Sequence, residues 1–406
     1  MPKLSARGSQ LADHSPFSEY MLVSRDNAHR RWRPDRPDGF IDLSVAENRL
    51  VWDLLEPQLS AVRSLPPEAA GYDDIRGNEG FRTAVAGLAG RTFFGREVGP
   101  DSVFTLAGAG AVLEAVFYAL CDPGEGVLVA TPGYAGFWMD LEQRDEVVIV
   151  PVPTRWEDRF RISLEALDRA YEKADRPIRA LLLASPDNPT GRVLAADEIS
   201  DLLTWCRSKG IHAVFDEVYA LSVHDGTPFV SVASLTELGD DVHVIWALSK
   251  DFAVSGFRCG VVITENERLG RAVSAQGIWS GVSGRTQRLF AEMLSDAAWT
   301  DHYLTEMRRR LARAHTVAVD GLTRAAIGHI PGQAGFFLMA DFRPHLGEPT
   351  FEGERALWMA VVEAGVNMTP GAACRSEEPG LFRICFAAAP PEAITTGFDR
   401  IAAALD

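Results

Sequence analysis

The chain has 406 residues, 47% hydrophobic and 24% charged, which is room for a large folded domain and a smaller one. Its formal net charge of −16 argues against nucleic acid and anionic membrane surfaces, both of which favour basic faces. The five cysteines form no Cys-x-x-Cys pair and the nine histidines no His-x-x-x-His pattern, so neither a disulfide framework nor a metal site is expected.

The N-terminal residues lack the apolar core of a signal peptide, and no apolar run approaches the ~18 residues of a membrane helix. A cytoplasmic location is the expectation. In chain order, the first informative stretch is 45–50, Val-Ala-Glu-Asn-Arg-Leu, where Glu47 reads on its face as an acid near a helix start. Residues 71–77 follow, with Tyr72 and Ile75. Residues 106–120 read as a helix, because Leu113, Val116, Phe117 and Leu120 fall at helical spacing. The stretch Ala107-Gly108-Ala109-Gly110-Ala111 lacks the third glycine and the acidic partner of a dinucleotide loop, so that reading is rejected. Bare amides at a helix N-terminus still suit an anion.

Residues 127–130 and 147–152 read as strands, with Tyr134 between them. The apolar run 181–184 ends in a Pro- and Gly-rich turn carrying Asn188. Residues 196–208 read as a helix entered through Asp197 and closed by Gly210. A strand at 211–216 ends in Asp216-Glu217, with Tyr219 two residues on. Another at 242–248 runs into Ser249 and Lys250, and a last one covers 260–263. Continuous apolar strands alternating with helices imply a mostly parallel sheet covered on both faces, with ligands at the carboxyl ends of its strands. After about residue 300 come a charged helix, 301–319, and short strands near 335–340 and 382–386. The last of these carries Arg383 among apolar residues, a costly placement unless the charge is paired.

Asn188, Asp216 and Lys250 each end an expected strand. A lysine in a partly dry cleft can lose its proton and condense with an aldehyde. Arg258, in Gly256-Phe257-Arg258-Cys259-Gly260, can hold a phosphate with its planar fork. Aldehyde plus phosphate describes pyridoxal 5′-phosphate. Such a site needs a charged partner for the pyridine nitrogen, which Asp216 offers, and donors for the phenolic oxygen, which Asn188 and Tyr219 offer.

In this order of motifs the chain resembles the fold-type-I pyridoxal-phosphate enzymes of the class I/II aminotransferase family. It is most similar to the 1-aminocyclopropane-1-carboxylate (ACC) synthases, which carry Ala-Glu-Asn-Gln-Leu where this chain has Ala46-Glu47-Asn48-Arg49-Leu50. The Glu378 to Phe386 segment points the same way. The resemblance implies a three-layer α/β/α domain at 44–300 and a smaller α+β domain built from 1–43 plus 301–406. It implies a catalytic set of Lys250, Asp216 and Tyr134, the tyrosine stacked on the cofactor ring. It places the phosphate on Ala109, Gly110, Ala111, Ser249 and Arg258. It makes Arg383, with Asn188, the holder of the substrate carboxylate, and sets Glu47 opposite a sulfonium. Two hydroxyls usual in the family are missing, at Gly110 and Ala247. Tyr72 follows the aminotransferase pattern, reaching a partner subunit's phosphate, whereas ACC synthases place that tyrosine where Ile75 stands. A homodimer with shared sites is implied. The expected reaction is γ-elimination of methylthioadenosine from S-adenosylmethionine. Ring closure, or trapping of a vinylglycine-type intermediate by a second small molecule, would follow. An α-amino acid aminotransferase and a C–S lyase are the alternatives.

Overall fold

The computed structural model describes residues 3–13, 15–61 and 66–405. Strand β1 is Ile41–Asp42. Seven strands form the main sheet: β2 (Val103–Leu106), β3 (Gly126–Thr131), β4 (Val148–Pro153), β5 (Ile178–Ala184), β6 (His212–Asp216), β7 (Val242–Ala247) and β8 (Gly260–Ile263). Their spatial order is β2-β8-β7-β6-β5-β3-β4. In this sheet β8 runs antiparallel to both its neighbours, and the pairings from β7 through β4 are parallel.

The apolar runs explain the sheet. Every residue of β7 is buried, and alternate side chains enter different cores. Val244 and Trp246 join one cluster with Leu181, Leu183 and Phe215. Ile245 joins the other with Leu182, Val214 and Val262. A strand buried on both faces loses the polar alternation of a half-exposed one, which is why these segments read as continuous hydrophobic runs.

The chain from the far end returns to build the rest. Strands β9 (Gly328–Ile330), β10 (Phe337–Asp341), β12 (Thr369–Pro370) and β13 (Leu381–Cys385) form a second sheet in the order β12-β13-β10-β9, all pairs antiparallel. Strand β11 (Val366–Asn367) pairs in parallel with β1, so the two terminal parts of the chain meet. The helix expected at 301–319 is longer, Ala297–Arg324, and is capped by Asp296. The helix expected at 106–120 begins only at Ala109. Residues 103–106 are instead β2, and Gly108, at φ 93, breaks the chain between the two. The apolar period of the helix had simply run back into the strand. The helix Ala196–Lys209 ends at Gly210 in the left-handed conformation, as its sequence requires. No helix among the described residues is long and apolar enough to cross a membrane.

Candidate active site

The carboxyl ends of β5, β6 and β7 lie side by side, with Ala184 opposite Asp216 and Asp216 opposite Ile245. Lys250 stands in a single helical turn, Leu248–Asp251, directly after β7. Asp251 fixes that turn. Its carboxylate accepts hydrogen bonds from Trp246 Nε1 (2.9 Å), the Ser222 hydroxyl (2.5 Å) and the Leu221 amide (3.1 Å). The Tyr303 hydroxyl donates to its carbonyl at 3.1 Å. The Lys250 ammonium donates to the Ala46 carbonyl at 2.7 Å. Burial pushes its pKa down to about 8, and the charge of Arg383 pushes the same way, while Glu47 and Asp216 oppose them. A usable fraction of neutral amine therefore exists near neutral pH.

Asp216 is buried, and burial pushes its carboxyl up to about 7. The Val218 amide, donating at 3.3 Å, opposes the rise. Glu217 turns away and is consumed elsewhere, accepting from the Ser231 hydroxyl (2.7 Å) and the Val232 amide (2.9 Å). Alternation along the strand thus decides which of two adjacent acids serves the site.

Arg383, on β13, is 2% exposed. Its Nη1 donates to Asn188 Oδ1 at 3.0 Å, and its Nη2 to the Ser44 carbonyl (2.6 Å) and the Thr369 hydroxyl (3.0 Å). Its Nε has no partner, and among the described residues no carboxylate pairs with it. The bland alternative, a structural salt bridge, is not what the fold builds. The bond from Arg383 also orients Asn188: with Oδ1 engaged, the amide NH2 is left to donate.

The anion end lies at the start of the helix Ala109–Leu120. A Cβ on Gly108 would overlap the Arg258 guanidinium, and one on Gly260 would strike the Gly108–Ala109 backbone. Only glycines allow this convergence of helix end, strand and arginine. Arg258 has φ 49 and Ala253 φ 54, so two non-glycine residues of the loop after Lys250 carry left-handed strain. Ser249 is buried, and its carbonyl accepts from the Ser255 hydroxyl at 3.1 Å. Ala247 is fully buried at the end of β7. Tyr219 is buried edge-on to Phe336 and Phe337, and Tyr134 packs edge-on to Phe137 at 5.2 Å.

One expectation needs revision. Glu47 does not start a helix. The next helix begins at Trp52, with Asp53 as its first-turn acid. Glu47 lies in irregular chain and accepts from Arg49 Nε (3.2 Å) and Nη2 (2.9 Å). Tyr72 is fully exposed, uncovered by any of the described residues, and Ile75 is 57% exposed.

The sequence reading passed over three residues. Asp140, six residues after Tyr134, points a carboxyl at the anion end: a Cβ on Gly110 would sit 3.0 Å from its Oδ1. Burial and Glu114 push Asp140 up to about 7, while Arg258 opposes them. Arg49 holds Glu47. Tyr20 is buried where the charge of Arg383 acts on its hydroxyl. None of these carries a local pattern, since each is defined by its tertiary neighbours.

The family model "Aminotransferase class I and II" matches residues 39–401. The chain belongs to that family. Among relatives of this aminotransferase-family chain, 1-aminocyclopropane-1-carboxylate synthase 6 of Arabidopsis thaliana is 36% identical over 387 residues, covering 90% of this chain and 78% of that protein. 1-Aminocyclopropane-1-carboxylate synthase 5 of Oryza sativa subsp. japonica is 36% identical over 436 residues, covering 100% of this chain and 80% of that protein. The chain is thus related by sequence to the plant ACC synthase branch. Its fold is like that of the aspartate aminotransferase from Thermus thermophilus with maleate, at a TM-score of 0.83, 21% identity and 100% coverage of both chains.

As a family member the protein is a pyridoxal-phosphate-dependent transferase or lyase acting on an amino-acid-like substrate. The groups present fit that cofactor. A depressed lysine suits its aldehyde, a single-donor buried carboxyl suits a ring N–H, and the Gly108–Arg258 cradle suits its phosphate.

Proposed function

We propose that this enzyme acts on S-adenosylmethionine, removing the Cα proton and expelling methylthioadenosine from Cγ. The observation that carries the reading is the bond from Lys250 to the Ala46 carbonyl. It holds the Ala46-Glu47-Asn48 segment against the lysine, with the Glu47 carboxylate near enough to act on its charge. The names of the plant relatives support the same branch.

Bound pyridoxal phosphate supplies an aldehyde for the substrate amine and a ring that takes up the electrons freed at Cα. The protein does the rest. Arg383 grips the α-carboxylate with the donors left on its buried fork, and Asn188 and Tyr219 donate to the phenolic oxygen. Asp216 keeps the ring nitrogen protonated. Tyr134 covers one face of the ring and excludes water. Arg258, Ser249 and the amides of Ala109, Gly110 and Ala111 hold the phosphate. Lys250 would serve as the base that takes the Cα proton. Glu47 faces the sulfonium, whose C–S bond breaks with both electrons leaving on sulfur. The electron pair at Cα displaces the sulfur from Cγ and closes the cyclopropane, or a Cβ proton is lost as the C–S bond breaks and the resulting β,γ-alkene is captured by a second small molecule. In this reading, residues 44–300 carry the cofactor, and 1–43 with 301–406 close over it. Two chains form a cytoplasmic homodimer, in which the exposed Tyr72 reaches the partner's phosphate.

The position of Tyr72 also suits a second reading, an α-amino acid aminotransferase; a C–S lyase would need the same core. One experiment separates them. The enzyme is incubated in D2O with S-adenosylmethionine alone, then with aspartate or alanine plus 2-oxoglutarate, and products are read by mass spectrometry. Deuterium at Cα and released methylthioadenosine are the expected result. Glutamate without exchange into S-adenosylmethionine would establish the aminotransferase instead.

A further inference from the structure

Arg49 stands where the ACC synthase pattern has glutamine, and it lines two cavities at once. One, about 660 Å³, is bounded by Asn48, Trp52 and the 253–257 loop after Lys250. The other, about 600 Å³, is bounded by Arg31 and Trp32. Three buried N–H atoms of lining residues lack a partner among the described residues: Asn48 Nδ2 at the first cavity, and Arg31 Nε and Trp32 Nε1 at the second. Asn48 is 5% exposed, and its Oδ1 already accepts from the Leu50 amide at 3.0 Å, so a donor is what it has left.

The carboxylates nearby are spoken for. Asp42, on the second cavity, accepts from the Ser24 and Ser44 hydroxyls and pairs with Arg31 at 3.5 Å. Glu47 accepts from Arg49. The Arg49 guanidinium borders both cavities, and its planar fork matches carboxylate and phosphate oxygens. Trp52, 61% exposed, adds an indole face on which a planar group can rest.

The Glu47–Arg49 pair is open to solvent, with 43% of the arginine side chain and 38% of the glutamate side chain exposed. Exposed pairs are weak and readily exchanged. A sulfonium arriving at Glu47 frees Arg49, and an anion arriving at Arg49 frees Glu47. With both bound, each charge keeps an opposite partner and none is stranded.

We propose that Arg49 anchors the anionic group of a second substrate, an organic carboxylate or phosphate ester with a planar body. Binding of the sulfonium at Glu47 releases it for that task. The exchange rests on the S-adenosylmethionine reading, whereas the anchor does not.

The test is calorimetric binding of benzoate and of phenyl phosphate to the holoenzyme. Each is titrated alone and then with one of two analogues. One has CH–NH3+ in place of the sulfonium and no leaving group; the other is S-adenosylhomocysteine, with a neutral sulfur. One probe binds, which tells carboxylate from phosphate. The cationic analogue tightens it about fivefold or more, and the neutral one leaves it unchanged. Arg49→Gln weakens the probe about tenfold, and Glu47→Gln tightens it without any analogue. Wild-type probe affinity in Arg49→Gln, or no binding of either probe to the wild type, overturns the proposal. Loss of the probe in Arg49→Gln, with neither analogue binding the wild type, keeps the anchor and removes S-adenosylmethionine as first substrate.

Discussion

The strand-end cluster and the mouth above it are built on opposite principles. Asp216, Asn188 and Arg383 are buried and fastened within one chain, by β-register, by the Arg383–Asn188 bond and by the carbonyl of Ser44. Lys250 is carried on a turn that Asp251 pins from below. At the mouth, Glu47 and Arg49 are half-exposed and Trp52 is mostly exposed. The lesson is a division of labour: the groups proposed for proton transfer and carboxylate binding are fixed by the fold, and those proposed to meet the substrate's far end are open to solvent.

The comparison breaks first at its buried half. Lys250→Ala removes both tether and base, so turnover should fall about 10⁴-fold or beyond detection, and the visible absorbance of bound cofactor should vanish. Persisting turnover would end the account.

Asp216→Asn should lower turnover about 100-fold with the far-ultraviolet spectrum intact, because the ring nitrogen loses its counter-charge. The same variant carries a stability signature in the apoprotein. The folded chain keeps the Asp216 proton up to about 7, against an ordinary value of 3.8. Between those values the folded state binds more protons than the unfolded one, so stability falls as pH rises from about 4 to about 7. Asp216→Asn apoprotein should lose less stability over that range in thermal scans. An unchanged slope would mean that the carboxyl is not strained by burial.

Arg383→Lys keeps the charge but loses the fork, and it releases Asn188. A fall in kcat/KM of about 30-fold, carried mainly by KM and with cofactor content unchanged, is expected. Loss of cofactor in this variant would mean that Asn188 was the more important partner. The mildest change sharpens the anion end. Ala247→Ser returns one of the absent hydroxyls and should tighten the cofactor about threefold. Equilibrium dialysis showing no gain would place Ala247 away from the phosphate.

The buried half is legible in sequence and the exposed half only in outline. Asn188, Asp216 and Lys250 announce themselves because each interrupts a continuous apolar run at its end, and Arg383 because it is a charge inside one. Glu47 was noticed through resemblance, yet its neighbour in the same hexapeptide, Arg49, gave no sign of being its partner. Two charges two residues apart in irregular chain have no period to betray them. Asp140 was hidden in the same way: it sits one turn into the short helix Gly136–Glu142, and only the approach of Gly110 shows what it faces. The start of the helix at Ala109 was misplaced because the hydrophobic residues of β2 continue its pattern, and the break is made by the conformation of one glycine.

The bond between Lys250 and the carbonyl of Ala46 ties two histories together. The proposed base is held by the main chain of the segment proposed to meet the substrate. Side chains there can be exchanged without disturbing it, but an insertion or deletion there would loosen the lysine itself. Descendants of this enzyme are free to change what they recognise by substitution, and bound to keep the length of the loop in which they do so.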